Sequence, residues 1–162
     1  MKNAIFLDRD GVINYDSPEY IKSVNEVHFI PNIIENLKKF QDHGFKLFLI
    51  SNQSAVGRGI ISLMDLNNIN SFILDTLESK GCKINGIYFC PHTPLDNCQC
   101  RKPSPYLIIQ AAKQHDIDLT NSWMIGDKPS DIEAGKRAGC KTYQIVTNSS
   151  ISDAFNFIIQ AM

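Results

Sequence analysis

Short, wholly apolar runs alternate along the chain with longer stretches in which apolar residues recur every three or four positions. The run Ala4-Ile5-Phe6-Leu7 has the pattern of a strand buried on both faces. The segment IPNIIENLKKFQDHG places Ile33, Ile34, Leu37 and Phe40 on one helical face, with Pro31 near its start and Gly44 at its stop. KLFLIS, from Lys46, predicts a second strand. Residues 62–80 predict a second amphipathic helix, ended by Gly81. GIYFC, from Gly86, predicts a third strand, followed by a loop rich in Pro and Cys. Then come a helix (SPYLIIQAAKQH), a strand (SWMIGD), a helix (PSDIEAGKRAG) and a fifth strand (KTYQIV). SDAFNFIIQA reads as a last helix with Ser152 or Asp153 as its cap.

Strands alternating with helices predict an α/β fold: a central parallel sheet, Rossmann-like, between two helical layers. Ligands of such sheets bind at the carboxyl ends of the strands. The unusual polar residues fall at that edge. Asp8 and Asp10 follow the first strand, Ser51 to Ser54 the second, Cys90 and His92 the third, and Asp127 the fourth.

Asp8 and Asp10 sit two apart at the end of an apolar run, with Asp127 converging on them. One Asp after a strand commonly caps a turn. Three carboxylates at one edge repel one another, and a hard divalent cation such as Mg²⁺ relieves the repulsion while recruiting phosphate. Lys102 and Lys128, with Arg101 and Arg58, are the candidate counter-charges for an anion. Ser51 offers a hydroxyl and a backbone N–H.

The loop CPHTPLDNCQC carries Cys90, His92, Cys98 and Cys100 as C-x-H, five residues, then C-x-C. Three thiolates and one imidazole suit a closed tetrahedral Zn²⁺ site, which is structural because no ligand position stays open. Such a site supplies on the order of 10 kcal/mol of ordering free energy to a loop with little core. It would hold Arg101 and Lys102, which follow directly. Cys82 and Cys140 are assigned to packing.

Composition narrows the function further. A length of 162 residues predicts a single domain, 1–162, with the zinc loop 90–100 inserted after the third strand. The net charge of −1 gives no field for nucleic acid or an acidic membrane. No stretch approaches the ~20 apolar residues of a membrane span. The apolar run at the start is too short for a signal peptide and ends in a charge. These features predict a cytoplasmic protein, and no exposed apolar helix face argues against a monomer.

DRDG after the first strand, Ser51 after the second, a Lys before a helix, and GD with a following Asp131 resemble the haloacid dehalogenase (HAD) superfamily of phosphatases. The motifs run in order from residue 8 to residue 131. The resemblance implies a HAD fold with a minimal cap and the first strand near the centre of the sheet. It implies that Asp8 attacks phosphorus, that Asp10 is general acid and base, and that Ser51 and Lys102 hold the phosphoryl oxygens. It also implies Mg²⁺ on Asp8, the Asp10 backbone carbonyl and Asp127, with Asp131 orienting Lys102 or the metal shell.

The zinc loop, NQSAVGRG and CRKPSP resemble the heptose-bisphosphate and histidinol-phosphate phosphatase branch. The implied substrate is a small phosphorylated sugar, D-glycero-D-manno-heptose 1,7-bisphosphate, losing its C7 phosphate. Arg58 and Arg101 would bind the second phosphate, Asp16 in DSPEY would contact the sugar, and Asn52, Gln53, Ser54 and Lys128 would complete the binding face. Histidinol phosphate is the alternative, favoured by the compact zinc loop and disfavoured by Arg58. A zinc module that binds a partner without catalysis is a third reading, opposed by the intact acidic motifs and the absence of a basic stripe.

Overall fold

The computed structural model describes residues 1–162. Five parallel strands form one sheet in the order β3-β2-β1-β4-β5: β1 (Ala4–Leu7), β2 (Lys46–Asn52), β3 (Gly86–Cys90), β4 (Trp123–Gly126) and β5 (Lys141–Gln144). β1 lies at the centre, Phe6 opposite Phe48 on one side and Met124 on the other. The connecting helices are α1 (Ile33–Asp42), α2 (Ser54–Gly57), α3 (Leu63–Ser79), α4 (Tyr106–His115), α5 (Pro129–Ala138) and α6 (Ser152–Gln160).

The period-two alternation of strand side chains divides the core between the faces. Ile5, Leu7, Leu47, Leu49 and Ile125 pack with Leu37 and Phe40 of α1, Ile69 and Ile73 of α3, and Ile158 of α6. Ala4, Phe6, Phe48, Ile50 and Met124 face the other way, onto Ile108 and Ala111 of α4 and Ala134 of α5. This gives the expected three layers. Gly135 brings α5 close to the sheet, since a Cβ there would stand 2.6 Å from Met124 Cβ and 2.8 Å from Thr142 Cγ2.

α3 opens on a reciprocal cap. The Ser62 hydroxyl accepts from Asp65 N, and the Asp65 carboxylate accepts from Ser62 N. Three details depart from the pattern reading. α4 starts at Tyr106 rather than Ser104; Pro105 takes the cap position, and the Ser104 hydroxyl accepts from Tyr106 N. α6 has Ile151 at its cap position. The Ser152 hydroxyl instead accepts from Asn36 Nδ2, and the Ser150 hydroxyl accepts from Ser152 N. The short helix α2 was not expected at all. No cap domain follows β1. Residues 14–29 instead fold back on themselves, with Tyr15 N donating to His28 O and Ile30 N to Ile13 O. No helix is long and apolar enough to cross a membrane.

Candidate active site

β1, β2 and β4 are adjacent, so their carboxyl ends deliver Asp8, Ser51 and Asp127 to one place. A cavity of ≈ 270 Å³ opens there. Its wall includes Asp8, Asp10, Asp16, Asn52, Gln53, Ser54, Arg101, Lys102, Lys128 and Asp131.

Lys102 organises the floor. It is buried, and its ammonium lies 2.9 Å from Asp8 Oδ1 and 2.6 Å from Asp131 Oδ1. It also donates to the Ile50 carbonyl at 2.7 Å. Burial opposes the charge, but Asp8 and Asp131 outweigh it and hold the Lys102 ammonium above its ordinary value. Burial works the other way on Asp8, pushing its carboxyl up to about 8 against the pull of Lys102. A carboxylate so poorly solvated is short of positive charge. Asp131, the third residue of α5, pairs with Lys102 and also accepts from the backbone N of Asp127 and Lys128, both at 3.1 Å.

Asp127 is buried. Its Oδ2 accepts from the Thr147 hydroxyl at 2.8 Å, while its Oδ1 has no partner. Carboxylate oxygens of Asp8, Asp127 and Asp131 lie within 4.8 Å of one another. Gly11, at φ +90°, keeps this space open, since a Cβ there would overlap Asp127 Oδ2. A buried oxygen without a donor in a cluster of hard oxygens fits a divalent cation.

Asp10 is the most heavily hydrogen-bonded carboxylate of the site. Asn14 Nδ2 and Gln53 Nε2 donate to it, each at 2.9 Å, and Arg9 grips it with two nitrogens. Gln53 Nε2 also donates to Ser51 Oγ at 2.6 Å, tying β2 to Asp10.

The remaining candidates are not equivalent. Asn52 lines the cavity, but its amide is engaged with the main chain of Lys102, accepting from Lys102 N at 3.0 Å and donating to Lys102 O at 3.2 Å. Lys128 reaches Asp16 Oδ2 at 3.5 Å across the mouth of the cavity. Arg101 lines the wall, whereas Arg58 does not; its Nε lies 3.5 Å from Ser54 Oγ on the exposed side of α2. Arg9, Asn14, Asn70 and Thr147 also belong to the site and are not marked as such in the sequence. Only Arg9 left a trace there, as a charge enclosed between two aspartates and an apolar run.

The ligand atoms of Cys90, His92, Cys98 and Cys100 lie within 4.8 Å of one another. Cys90 Sγ is 3.4 Å from both His92 Nδ1 and Cys98 Sγ, and 2.8 Å from Cys100 Sγ. Ligands around tetrahedral Zn²⁺ with bonds near 2.3 Å stand roughly 3.8 Å apart, so the cluster could hold that ion after slight expansion. Cys82 and Cys140 are buried away from it. The zinc loop also shapes the active site. Cys90 O accepts from Gln53 N at 2.7 Å, and Pro91 O accepts from Gly57 N at 2.8 Å. A side chain at Gly57 would meet Pro91 O at 2.7 Å, so α2 requires glycine there to approach the loop.

Residues 99–156 match the HAD-hydrolase-like family model. D-glycero-beta-D-manno-heptose-1,7-bisphosphate 7-phosphatase of Helicobacter pylori (strain J99) is 43% identical over 96% of this chain and 89% of its own. This chain belongs to the HAD phosphatases, in the heptose-bisphosphate phosphatase branch. It is therefore a phosphoric monoester hydrolase. The Pseudomonas aeruginosa phosphatase of the same name is 33% identical over 93% of this chain and 84% of its own. The crystal structure of D,D-heptose 1,7-bisphosphate phosphatase from B. bronchiseptica, complexed with magnesium and phosphate, superposes with a TM-score of 0.88. It is 28% identical and covers 99% of both chains.

Proposed function

We propose that the chain is a Mg²⁺-dependent phosphatase that removes the C7 phosphate of D-glycero-β-D-manno-heptose 1,7-bisphosphate through an aspartyl-phosphate on Asp8. The observation that supports it best is the pairing of Asp8 with Lys102 at 2.9 Å on the cavity floor, with Asp10 beside them in the same wall. The sugar assignment rests on the names of the relatives and on Arg101 and Lys128 lining the same cavity.

In this reading a carboxylate oxygen of Asp8 attacks phosphorus, and the bond from phosphorus to the sugar C7 oxygen breaks. Asp10 delivers a proton to the departing alkoxide, then takes one from the water that hydrolyses the aspartyl-phosphate. Lys102 neutralises the phosphoryl oxygens, and Ser51 adds its hydroxyl and backbone N–H. Asp8, Asp127 and the Asp10 carbonyl would hold Mg²⁺, which supplies further charge neutralisation to phosphoryl transfer. Arg101 and Lys128 receive the second phosphate, and Asp16 the sugar. Cys90, His92, Cys98 and Cys100 would hold Zn²⁺, which would stiffen the loop that carries Arg101 and Lys102.

The test is phosphate release with Mg²⁺ from both anomers of the heptose bisphosphate and from histidinol phosphate, with Asp8→Asn as control. Preference for the β bisphosphate supports the proposal. Preference for histidinol phosphate replaces it, and release unaffected by Asp8→Asn removes the covalent mechanism.

A further inference from the structure

Arg9 is the bulkiest fully buried side chain of the protein, with no exposed surface. A buried guanidinium is costly unless paired, and its position is then specified by its partners. Its one carboxylate partner is Asp10. Arg9 Nη2 stands 2.9 Å from Asp10 Oδ1 and 3.1 Å from Oδ2, and Nε donates to Oδ1 at 3.0 Å. The guanidinium does not line the cavity and cannot touch substrate. On its far side Nη1 donates to Asn70 Oδ1 at 2.9 Å. Asn70 is itself buried, in the middle of α3 and 61 positions along the chain from Arg9.

Two neighbours with other duties also hold Asp10. Gln53 is shared with Ser51, and Asn14 also donates to the Tyr15 carbonyl. Arg9 is the only charged one, and its planar fork fixes the plane of the carboxylate as well as its position. We infer that Arg9, braced from behind by Asn70, is a positioning residue that sets the plane in which Asp10 exchanges its proton. This rests on the proposed acid–base role of Asp10.

The role predicts a dependence on the leaving group. An alkoxide needs a proton as it leaves; a nitrophenolate does not. A misplaced general acid therefore slows alkyl phosphates selectively, whereas a loosened fold slows all substrates alike. The comparison is kcat/KM for heptose 1,7-bisphosphate against p-nitrophenyl phosphate, for Arg9→Met, Asn70→Ala and Asp10→Asn, all loaded with metal. kcat/KM reports events up to transfer onto Asp8, so slow hydrolysis of the aspartyl-phosphate does not mask the effect. Arg9→Met should lower the alkyl value by about a hundredfold and the aryl value by only a few fold. Asn70→Ala should reproduce the selectivity at smaller amplitude, which keeps the test valid if Arg9→Met does not fold. Arg9→Lys, which restores charge but not the fork, should recover only part of the alkyl rate. Equal losses on both substrates, or no loss in the Asn70 variant, would overturn the inference while leaving Asp10 as the acid. If Asp10→Asn itself shows no selectivity, the acid–base reading and the inference fall together.

Discussion

Gly126→Ala is the sharpest probe of the lysine clamp. Gly126 ends β4 without the left-handed backbone that demands glycine elsewhere, so only space is at stake. An added Cβ would overlap the Cβ and carboxylate of Asp131. Asp131 is 1% exposed and cannot swing into solvent without leaving Lys102 and two backbone N–H groups unpaired. Separating a buried ion pair costs about 3–5 kcal/mol, and overpacking a core about 1–3 kcal/mol. Partial relaxation makes these less than additive, so a loss of about 4 kcal/mol is expected. With a urea m-value of roughly 2 kcal/mol/M, the midpoint should fall by about 2 M. Activity should fall about a hundredfold, because a displaced Lys102 no longer meets the phosphoryl group. Gly59→Ala is the control. It has φ +74° and open space, so only the left-handed strain of about 1–2 kcal/mol applies, with activity kept. If Gly126→Ala lost no more stability than Gly59→Ala and kept its rate, the clamp would not be what holds Lys102.

Three further outcomes are expected. Metal-free protein should lose stability as pH rises from about 4 to about 8, because burial makes Asp8 hold its proton more tightly in the folded chain than in the unfolded one, and a group that binds protons more tightly when folded lowers stability as pH rises; Mg²⁺ should flatten this slope in thermal melts. Thiol labelling should find Cys90, Cys98 and Cys100 protected until zinc is chelated. Cys82 and Cys140 should react only on unfolding, burial having pushed the Cys140 thiol up to about 12. Arg101→Ala should raise KM for the bisphosphate more than Arg58→Ala, since Arg101 lines the cavity and Arg58 does not; the reverse ranking in steady-state kinetics would place the second phosphate beyond α2.

What could be read from the sequence was whatever depends on nearest neighbours along the chain. Apolar periodicity is local, so the five strands and the long helices stood out, as did stops such as Gly44 and Gly81, both at positive φ. Motif residues were legible because strand ends in a parallel sheet share one edge whatever the strand order. The Cys and His cluster that could hold zinc was legible because all four residues lie within eleven positions. Tertiary structure decided the rest. α2 is too short to show a period, and its register depends on the zinc loop through Gln53 N and Gly57 N. The Ser152 hydroxyl meets Asn36, far away in the chain, and Ile151 takes the cap position of α6. Asn52 turned to the Lys102 main chain, and Arg58 fell outside the cavity, for reasons no local pattern contains. Arg9 is the extreme case: a charged residue reads as surface in any sequence, and only the meeting of Asp10 and Asn70 around it makes burial affordable. Sequence could name the groups that carry the chemistry, because their types and spacing are one-dimensional. Which neighbours hold those groups in place depends on distances through space, and those exist only in the folded chain.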